Sequence, residues 1–278
     1  MCAAVVSAFA QSNSRSPSSA VPASCSLPGL TPGSQPSVPA MLAAYTAQAR
    51  AVSSLRAVSE AVATAGARYG SQAAQPRSFA AYLLAERPSW IRMQVDTPVI
   101  ARRVADLATD GREYRAFIPR EGRFYIGPEN GRPNSSNFIE NVRLEPLHDA
   151  LLWPDPSSDT MHALPDDPLA IEIDESDGRR RLHFDFAAGT LAWVEVRDGT
   201  SEILATAHYA DWKTLAAQDG TAVCYPRSVS IEMPRQDYKL EFWFRRLGLN
   251  EGMPFARFQI EPPNGIGIVR LRNQAAAP

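Results

Sequence analysis

Residues 87–118 read RPSWIRMQVDTPVIARRVADLATDGREYRAFI, and their hydrophobic pattern decides the fold class. Residues 91–96 alternate strictly between apolar and polar side chains, which is typical of a β-strand with one buried face. Residues 79–86 show the same period of two, so the two segments are predicted to form an antiparallel pair. Asp110-Gly111 then marks a tight turn into another strand. The first half of the chain is therefore predicted to be a β-meander.

The second half of the chain shows the same period of two. Six segments between residues 169 and 244 alternate apolar and polar side chains, and short turns separate them: LAIEI, RLHFDF, LAWVEV, EILATAHYADW, SVSIEM and YKLEFWF. Only residues 40–54 and 144–152 have helical spacing. We therefore expect a mainly β (α+β) fold. It would be a single large curved antiparallel sheet of about 10–11 strands, forming a half-open barrel with a few helices plugging the concave face.

Composition excludes several classes of protein. The chain has 278 residues, with 28 basic and 30 acidic side chains and a formal net charge of −2. Such a balance creates no overall field that would gather nucleic acid, so no nucleic-acid partner is expected. No window approaches the roughly 20 apolar residues of a membrane-spanning helix. A monomeric globular protein is the expectation.

The N-terminal region predicts export. Residues 1–10, MCAAVVSAFA, resemble the end of a signal peptide and close on a small-x-small pattern, although the positively charged region is missing. A cytoplasmic tail is the alternative. Residues 11–39 are rich in Ser and Pro and are predicted to form a disordered linker. The predicted folded domain is residues 40–278.

The sequence leaves three possible states for Cys25. The sequence Val-Pro-Ala-Ser-Cys resembles a bacterial lipidation box, and a lipid on Cys25 would anchor the protein to the outer membrane. Pro22 and the polar residues before it argue against that interpretation, because a lipidation box needs an apolar run immediately upstream. A disulfide with Cys224 is the second possibility, and two unpaired thiols are the third.

Two segments resemble the LolA/LolB superfamily of periplasmic lipoprotein carriers and outer-membrane receptors. They are RPSWIRMQVDTP followed by LATDGREYRAFIP, and the C-terminal FARFQIEPPNGIGIVRL. The resemblance covers about residues 40–271. It implies a non-enzymatic protein of the periplasm or the periplasmic face of the outer membrane, whose partners are the acyl chains of a lipoprotein or another lipid.

The resemblance also implies a role for Arg87. It matches the arginine that, in the carrier, holds a lid over the empty cavity by hydrogen bonds to lid carbonyls; a solvated turn arginine is the alternative. The chain departs from the family in an insertion at 128–142 and a charged loop at 155–168. The protruding apolar loop of the receptor is not identified.

Alternation within the strands predicts the walls of a binding cavity. Residues 238–244 place apolar side chains on one strand face and mostly charged ones on the other. Ordinary core packing is the alternative to a lipid pocket. The predicted ligand-binding residues are Phe79, Leu83, Ile91, Met93, Val95, Leu240, Phe242 and Phe244.

Catalytic chemistry has little support in the sequence. His183 and Asp185 share one strand face, a pattern more typical of a solvated surface than of a catalytic pair. Four carboxylates crowd one Pro-rich loop and could hold calcium, but a solvated acidic loop is favoured: Asp155, Asp159, Asp166 and Asp167. We predict no catalytic residue, cofactor or metal. The competing hypothesis to lipid binding is an envelope scaffold with a filled cavity.

Overall fold

The computed structural model describes residues 25–69, 75–129, 138–156, 161–164 and 166–272. Within these ranges the helices are α1 (Val38–Ala51) and α2 (Glu145–Leu151). The strands are β1 Ser54–Ala65, β2 Arg77–Glu86, β3 Trp90–Asp96, β4 Arg103–Thr109, β5 Glu113–Ile118, β6 Arg123–Pro128, β7 Met161–Leu164, β8 Asp167–Glu175, β9 Gly178–Asp185, β10 Thr190–Asp198, β11 Ile203–Ala216, β12 Ala222–Met233, β13 Tyr238–Leu249 and β14 Gly267–Arg270.

All these strands belong to one curved sheet that does not close into a barrel. Their order is β14-β6-β5-β4-β3-β2-β1-β13-β12-β11-β10-β9-β8-β7. Neighbouring strands are antiparallel except β14 and β6, which are parallel. The predicted mainly β fold with a single curved sheet is confirmed. The sheet has 14 strands in the described residues, more than the predicted 10–11.

Strand β1 is the longest strand that the sequence pattern missed; β7, within the predicted charged loop 155–168, is another. Strand β1 pairs with β2 on one side and with β13 on the other, so it joins the first half of the sheet to the second. Alternate residues from Leu55 to Ala65 are buried without interruption, and the register shift opposite Val58 and Ser59 comes from the extra residue Arg245 on β13. The buried positions of β1 are mostly alanine, and Val58 and Val62 lie on the opposite face, so the sequence shows no clear apolar period of two.

The two helices lie on the inner face of the sheet, close to their predicted positions. Helix α1 begins after Ser37, whose hydroxyl accepts a hydrogen bond from the Ala40 amide at 3.4 Å. It contacts β8 and β12, and α2 contacts β3 and β12. The Tyr45 ring of α1 stacks on Trp153, just after α2, with ring centroids 5.4 Å apart. The helices therefore cover only part of the inner face.

The C-terminal segment covers part of the outer face. Phe255 and Phe258 pack against Trp90 of β3, with ring centroids 4.7 and 5.8 Å away. The Arg92 guanidinium donates to the Arg257 carbonyl oxygen at 2.8 Å, and Ile260 belongs to a small apolar cluster with β4 and β6. This packing leads the chain to β14, which pairs with β6 at the edge of the sheet.

Of the three possibilities for Cys25, the structure has the disulfide with Cys224 and not the lipid anchor or the free thiol. The Cys25 sulfur is bonded to Cys224 of β12 across a sequence separation of 199, which leaves no thiol for a thioether-linked lipid. Residues 25–37 also lie on the fold, although they belong to the predicted linker: Leu27 and Leu30 are buried, and the Leu27 amide donates to the Gly189 carbonyl at 2.8 Å. The folded chain thus begins earlier than predicted.

Some sequence predictions concern residues outside the described ranges. The predicted signal peptide 1–10, residues 11–24 of the predicted linker, most of the insertion at 128–142, and Asp159 all fall there. Neither helix in the described part of the chain has the length and hydrophobicity needed to cross a membrane.

Removing the disulfide should destabilise the protein. A cross-link over such a long loop lowers the entropy of the unfolded chain, so we expect Cys25→Ala/Cys224→Ala to lower the free energy of unfolding by about 2–4 kcal/mol. Urea titrations of the variant and the oxidised protein measure the difference. The reduced wild-type protein is the control and should match the variant; equal stability of oxidised and reduced protein would contradict the prediction.

Candidate functional site

An apolar cavity lies on the inner face of the sheet, over the five adjacent strands β13, β1, β2, β3 and β4. Every lining side chain is apolar, and neither α1 nor α2 contributes one. The lining residues are Ala61, Val62, Ala63, Phe79, Ala81, Met93, Val95, Ala105, Leu107, Ile139, Val142, Leu240 and Phe242.

Small side chains on the strands leave the space for this cavity. Ala61 on β1 lies between Phe79 of β2 and Phe242 of β13 in the sheet register. Ala105 on β4 faces Val95 of β3 in the same way. Each alanine lacks the side-chain volume that would fill the space between its larger neighbours. The cavity is therefore a direct result of where the sequence places alanine.

The structure brings together five of the eight predicted ligand-binding residues. Phe79, Met93, Val95, Leu240 and Phe242 line the cavity. The other three predicted residues are buried in the same apolar core but are not among the lining residues: Leu83, Ile91 and Phe244.

The cavity is small in this structure. Its volume is about 30 Å³. A single water needs roughly 10–15 Å³ of such space, so the cavity has room for only two or three waters. Typical ligand pockets have volumes of about 300–1,000 Å³. The cavity is therefore too small for an acyl chain unless the walls or the cover move.

Residues 138–144, which we call the cover segment, lie over the cavity. They comprise a 3-10 turn, Phe138–Asn141, and the chain leading into α2. Ile139 and Val142 are the cavity-lining residues of this segment. The Arg143 amide donates to the Tyr238 hydroxyl at 2.8 Å, and the Arg143 side chain donates to the Glu129 carbonyl at 3.2 Å. The insertion predicted as a departure from the family thus supplies the roof of the site.

Arg87 joins the ends of the two helices. Its guanidinium donates to the carbonyl oxygens of Ala49 at 2.6 Å, Val52 at 3.1 Å and Trp153 at 2.5 Å. Burial lowers the pKa of this group, and the nearby Tyr45 acts in the opposite direction. Arg87 therefore makes the kind of carbonyl contacts that the family resemblance implied. The helices that it holds, however, do not line the cavity.

A buried charge pair holds α2 from the other half of the sheet. Arg180 of β9 contacts Asp149 of α2 at 3.2 Å and Glu175 at 2.7 Å, and its side chain is 7% exposed. Burial raises the pKa of Asp149, but the His148 ring and Arg180 outweigh it, so the pKa lies below its usual value. Breaking one partner of such a pair would leave a buried charge without compensation.

The loop between β3 and β4 exposes an apolar pair. The side chains of Val99 and Ile100 are 93% and 71% exposed. Arg102, which follows them, is also exposed. The sequence TPVIAR could have indicated this exposed pair, because two large apolar residues between Pro and Arg lie outside any alternating strand pattern.

The catalytic pair and the calcium ligands considered from the sequence do not come together as a site in the described residues. The His183 ring contacts Asp167 at 3.2 Å and stacks on Trp193, whereas Asp185 accepts a hydrogen bond from the Ala188 amide. Asp155 pairs with Arg50. No group of three or more His, Cys, Asp or Glu side chains in the described part of the chain could hold a metal ion.

Two solved structures share this architecture. One is a domain assigned to outer membrane lipoprotein sorting from Vibrio parahaemolyticus, with 12% identity and a TM-score of 0.52, covering 78% of this chain and 94% of that one. The other is a LolA superfamily protein from Nitrosomonas europaea, with 11% identity and a TM-score of 0.50, covering 79% and 97%. No family model and no curated protein sequence matches the chain. The structural likenesses establish that the chain has a LolA/LolB-like fold.

Proposed function

We propose that this protein is an exported, monomeric component of the bacterial cell envelope that binds acyl chains of a lipoprotein or another lipid, for transport or insertion into the outer membrane. The observation that carries the proposal is the wholly apolar cavity on the inner face of a LolA/LolB-like sheet. Burying each methylene group of an acyl chain contributes about 0.8 kcal/mol, so apolar walls alone can bind such a ligand. The proposed function is non-enzymatic and uses no cofactor.

The exposed apolar pair of the β3–β4 loop supports contact with a membrane. Apolar side chains at a loop tip lose unfavourable contact with water when they enter the lipid interface. Val99 and Ile100 are flanked by the exposed Arg102, whose charge suits the headgroup region. In this proposal the loop contacts the bilayer while the cavity holds the acyl chain.

The small volume of the cavity favours a second candidate function. A cavity of about 30 Å³ is nearly a packed core, as expected for an envelope scaffold whose surface binds another protein. The two candidates differ in one respect: the lipid-binding protein must open its cavity, and the scaffold keeps it closed.

Native mass spectrometry of the protein purified from a bacterial periplasm distinguishes the candidates. An acyl-containing ligand that co-purifies, or a mass shift on addition of palmitate or a diacylated lipopeptide, is the result expected for lipid binding. A protein mass that none of these lipids shifts would exclude lipid binding and leave the scaffold.

Filling the cavity should abolish lipid binding. Ala105 is fully buried on the cavity wall, and Ala105→Leu places a larger side chain in the space the ligand would use. We expect the affinity for a fluorescent C16 fatty acid to fall at least tenfold, measured by titration, since overpacking leaves no room for the chain. The matched control is Ala210→Leu on an exposed position of β11, which should bind normally. Equal affinities of a folded Ala105→Leu variant and the wild-type protein would contradict the assignment of this cavity.

Charges at the exposed loop should weaken membrane contact without affecting the cavity. In Val99→Asp/Ile100→Asp the loop can no longer enter the lipid interface, so we expect lower binding to phosphatidylethanolamine/phosphatidylglycerol vesicles in a flotation assay. Affinity for the free fatty acid should be unchanged, because neither residue lines the cavity. Unchanged vesicle binding would show that another surface meets the membrane.

A further inference from the structure

Asp211 has an unusual backbone conformation for a residue inside a strand. Its φ is +53°, in the left-handed region that non-glycine residues rarely adopt. In the described part of the chain, the other non-glycine residues with positive φ lie outside the strands. The Asp211 side chain is 53% exposed, and its carboxylate lies 3.1 Å from the Lys213 ammonium, so burial of the side chain does not explain the conformation. A strained residue that persists within a sheet has its reason in the surrounding structure.

The left-handed residue reverses the direction in which the next side chain points. Tyr209 lies on the inner face of the sheet, because it pairs with Val229, and Val229 pairs with the cavity-lining Phe242. In a regular strand, a residue three positions after Tyr209 would point to the outer face. Trp212 instead packs against Tyr209, with ring centroids 6.2 Å apart. Asp211 therefore places two aromatic rings on one face where regular alternation would separate them.

The neighbouring strand accommodates this irregularity. The register of β11 with β12 runs to Ala210 opposite Ser228 and resumes at Trp212 opposite Pro226. Proline has no amide hydrogen to donate to a neighbouring strand, and in the middle of a sheet it is found mainly where the pairing is irregular. Aspartate is among the residues that tolerate the left-handed conformation. Both strands thus carry a residue suited to a break in the ladder at the same point.

Trp212 completes a cluster of rings around Trp153, just after α2. The Trp153 ring contacts Tyr209 and Trp212 edge-on, with ring centroids 5.4 and 5.9 Å away. It also stacks on Tyr45 of α1, 5.4 Å away. We call these four residues the aromatic clamp: Tyr45, Trp153, Tyr209 and Trp212. The clamp joins α1 and the end of α2 to β11, and Arg87 fixes the Trp153 carbonyl at the same place.

A continuous apolar row links the aromatic clamp to the cavity. Phe242 of β13 lines the cavity, and the register places Val229 of β12 and then Tyr209 of β11 beside it. Both helices contact β12, so they cover this row from the inner side. Release of the clamp would uncover the row and extend the apolar space from β13 toward β11. The space gained would adjoin the cavity directly.

We propose that Asp211 is a positioning residue that sets the aromatic clamp, and that relaxation of its backbone to a regular strand turns Trp212 away, releases the two helices and enlarges the cavity for an acyl chain. Aromatic packing of Trp212 favours the left-handed backbone at Asp211, and the steric cost of that backbone opposes it. The acyl ligand rests on the proposed function, but the release itself can be measured without any ligand.

Three substitutions of Asp211 separate the effect of backbone conformation from the effect of charge. Glycine adopts positive φ without steric cost, asparagine tolerates it as aspartate does but carries no charge, and β-branched valine disfavours it. We therefore expect Asp211→Gly to hold the clamp more tightly, Asp211→Val to release it, and Asp211→Asn to leave it unchanged. The side chain is mostly exposed, so these changes leave the core packing intact.

Thiol labelling measures the release of the helices. It uses a Cys2→Ser background with the Cys25–Cys224 disulfide intact. Ala150→Cys reports on α2, and Ala108→Cys reports on the separate apolar cluster that includes Ile260 of the C-terminal segment. Both alanines are buried, at 4% and 1% exposure, so a cysteine at either position reacts only when its surroundings open.

We expect Asp211→Val to speed labelling at position 150 by on the order of tenfold, because valine raises the steric cost of the left-handed backbone. Asp211→Gly should slow labelling at 150, and labelling at 108 should stay the same in every variant. In a Trp212→Ala background, Asp211→Val should have no further effect, because residue 211 then has no ring to position.

Several results would overturn the inference. They are a change in the same direction with glycine and valine, equal acceleration at positions 150 and 108, and an unchanged rate at 150 in both variants. An effect of Asp211→Asn as large as that of Asp211→Val would assign the effect to the charge and not to the backbone. Additive effects of Asp211→Val and Trp212→Ala would show that Asp211 does not act through the clamp.

A ligand measurement separates this inference from the proposed function. If palmitate binds, Asp211→Val should raise the association rate constant of a fluorescent C16 fatty acid, measured by stopped-flow mixing, by a factor similar to that of labelling. Normal binding of palmitate with an unchanged association rate would overturn the link between the clamp and the cavity. Failure of palmitate and lipopeptides to bind would overturn the proposed function, whereas the labelling rates would still decide whether Asp211 sets the clamp.

Discussion

The pairing of β1 with β13 is the constraint on which the rest of the structure depends. It runs antiparallel from Leu55 opposite Leu249 to Ala65 opposite Tyr238, and it joins strands from the two ends of the folded chain. Without it, β1–β6 with β14 and β7–β13 would form two smaller sheets with unpaired edges. The same pairing builds the floor of the cavity, because the alanines of β1 meet Leu240 and Phe242 there. The hydrogen bonds between β1 and β13 therefore support both the sheet and the candidate cavity.

The strands that sequence alone predicted well are those with strict alternation and clear turns. YKLEFWF is one: Tyr238, Leu240, Phe242 and Phe244 are buried on β13, and the residues between them face outward. Strand β1 escaped prediction for a physical reason. Its alanines favour helix, and its valines, Val58 and Val62, lie on the less buried face, so the apolar period of two is hidden. Only long-range pairing with β13, which no local pattern contains, makes this segment a strand.

The candidate site was predictable in outline. Alternation identified inward-facing side chains, so Phe79, Met93 and Phe242 were assigned to the correct face. It could not indicate where the helices would cover that face, since Leu83 and Ile91 share it but lie outside the cavity lining. The cover was missed because Ile139 and Val142, three residues apart, lie in an Asn-rich insertion that shows neither strand nor helix period over any useful length.

The disulfide also sets an order of events during biosynthesis. Its two sulfurs are separated by 199 residues, and Cys224 lies on a strand whose neighbours on either side, β11 and β13, are both late in the chain. A chain that emerges from its N-terminus presents Cys25 long before its partner exists. Oxidation of this pair can therefore occur only near the end of chain emergence. By that stage β1 to β11 have already been synthesised.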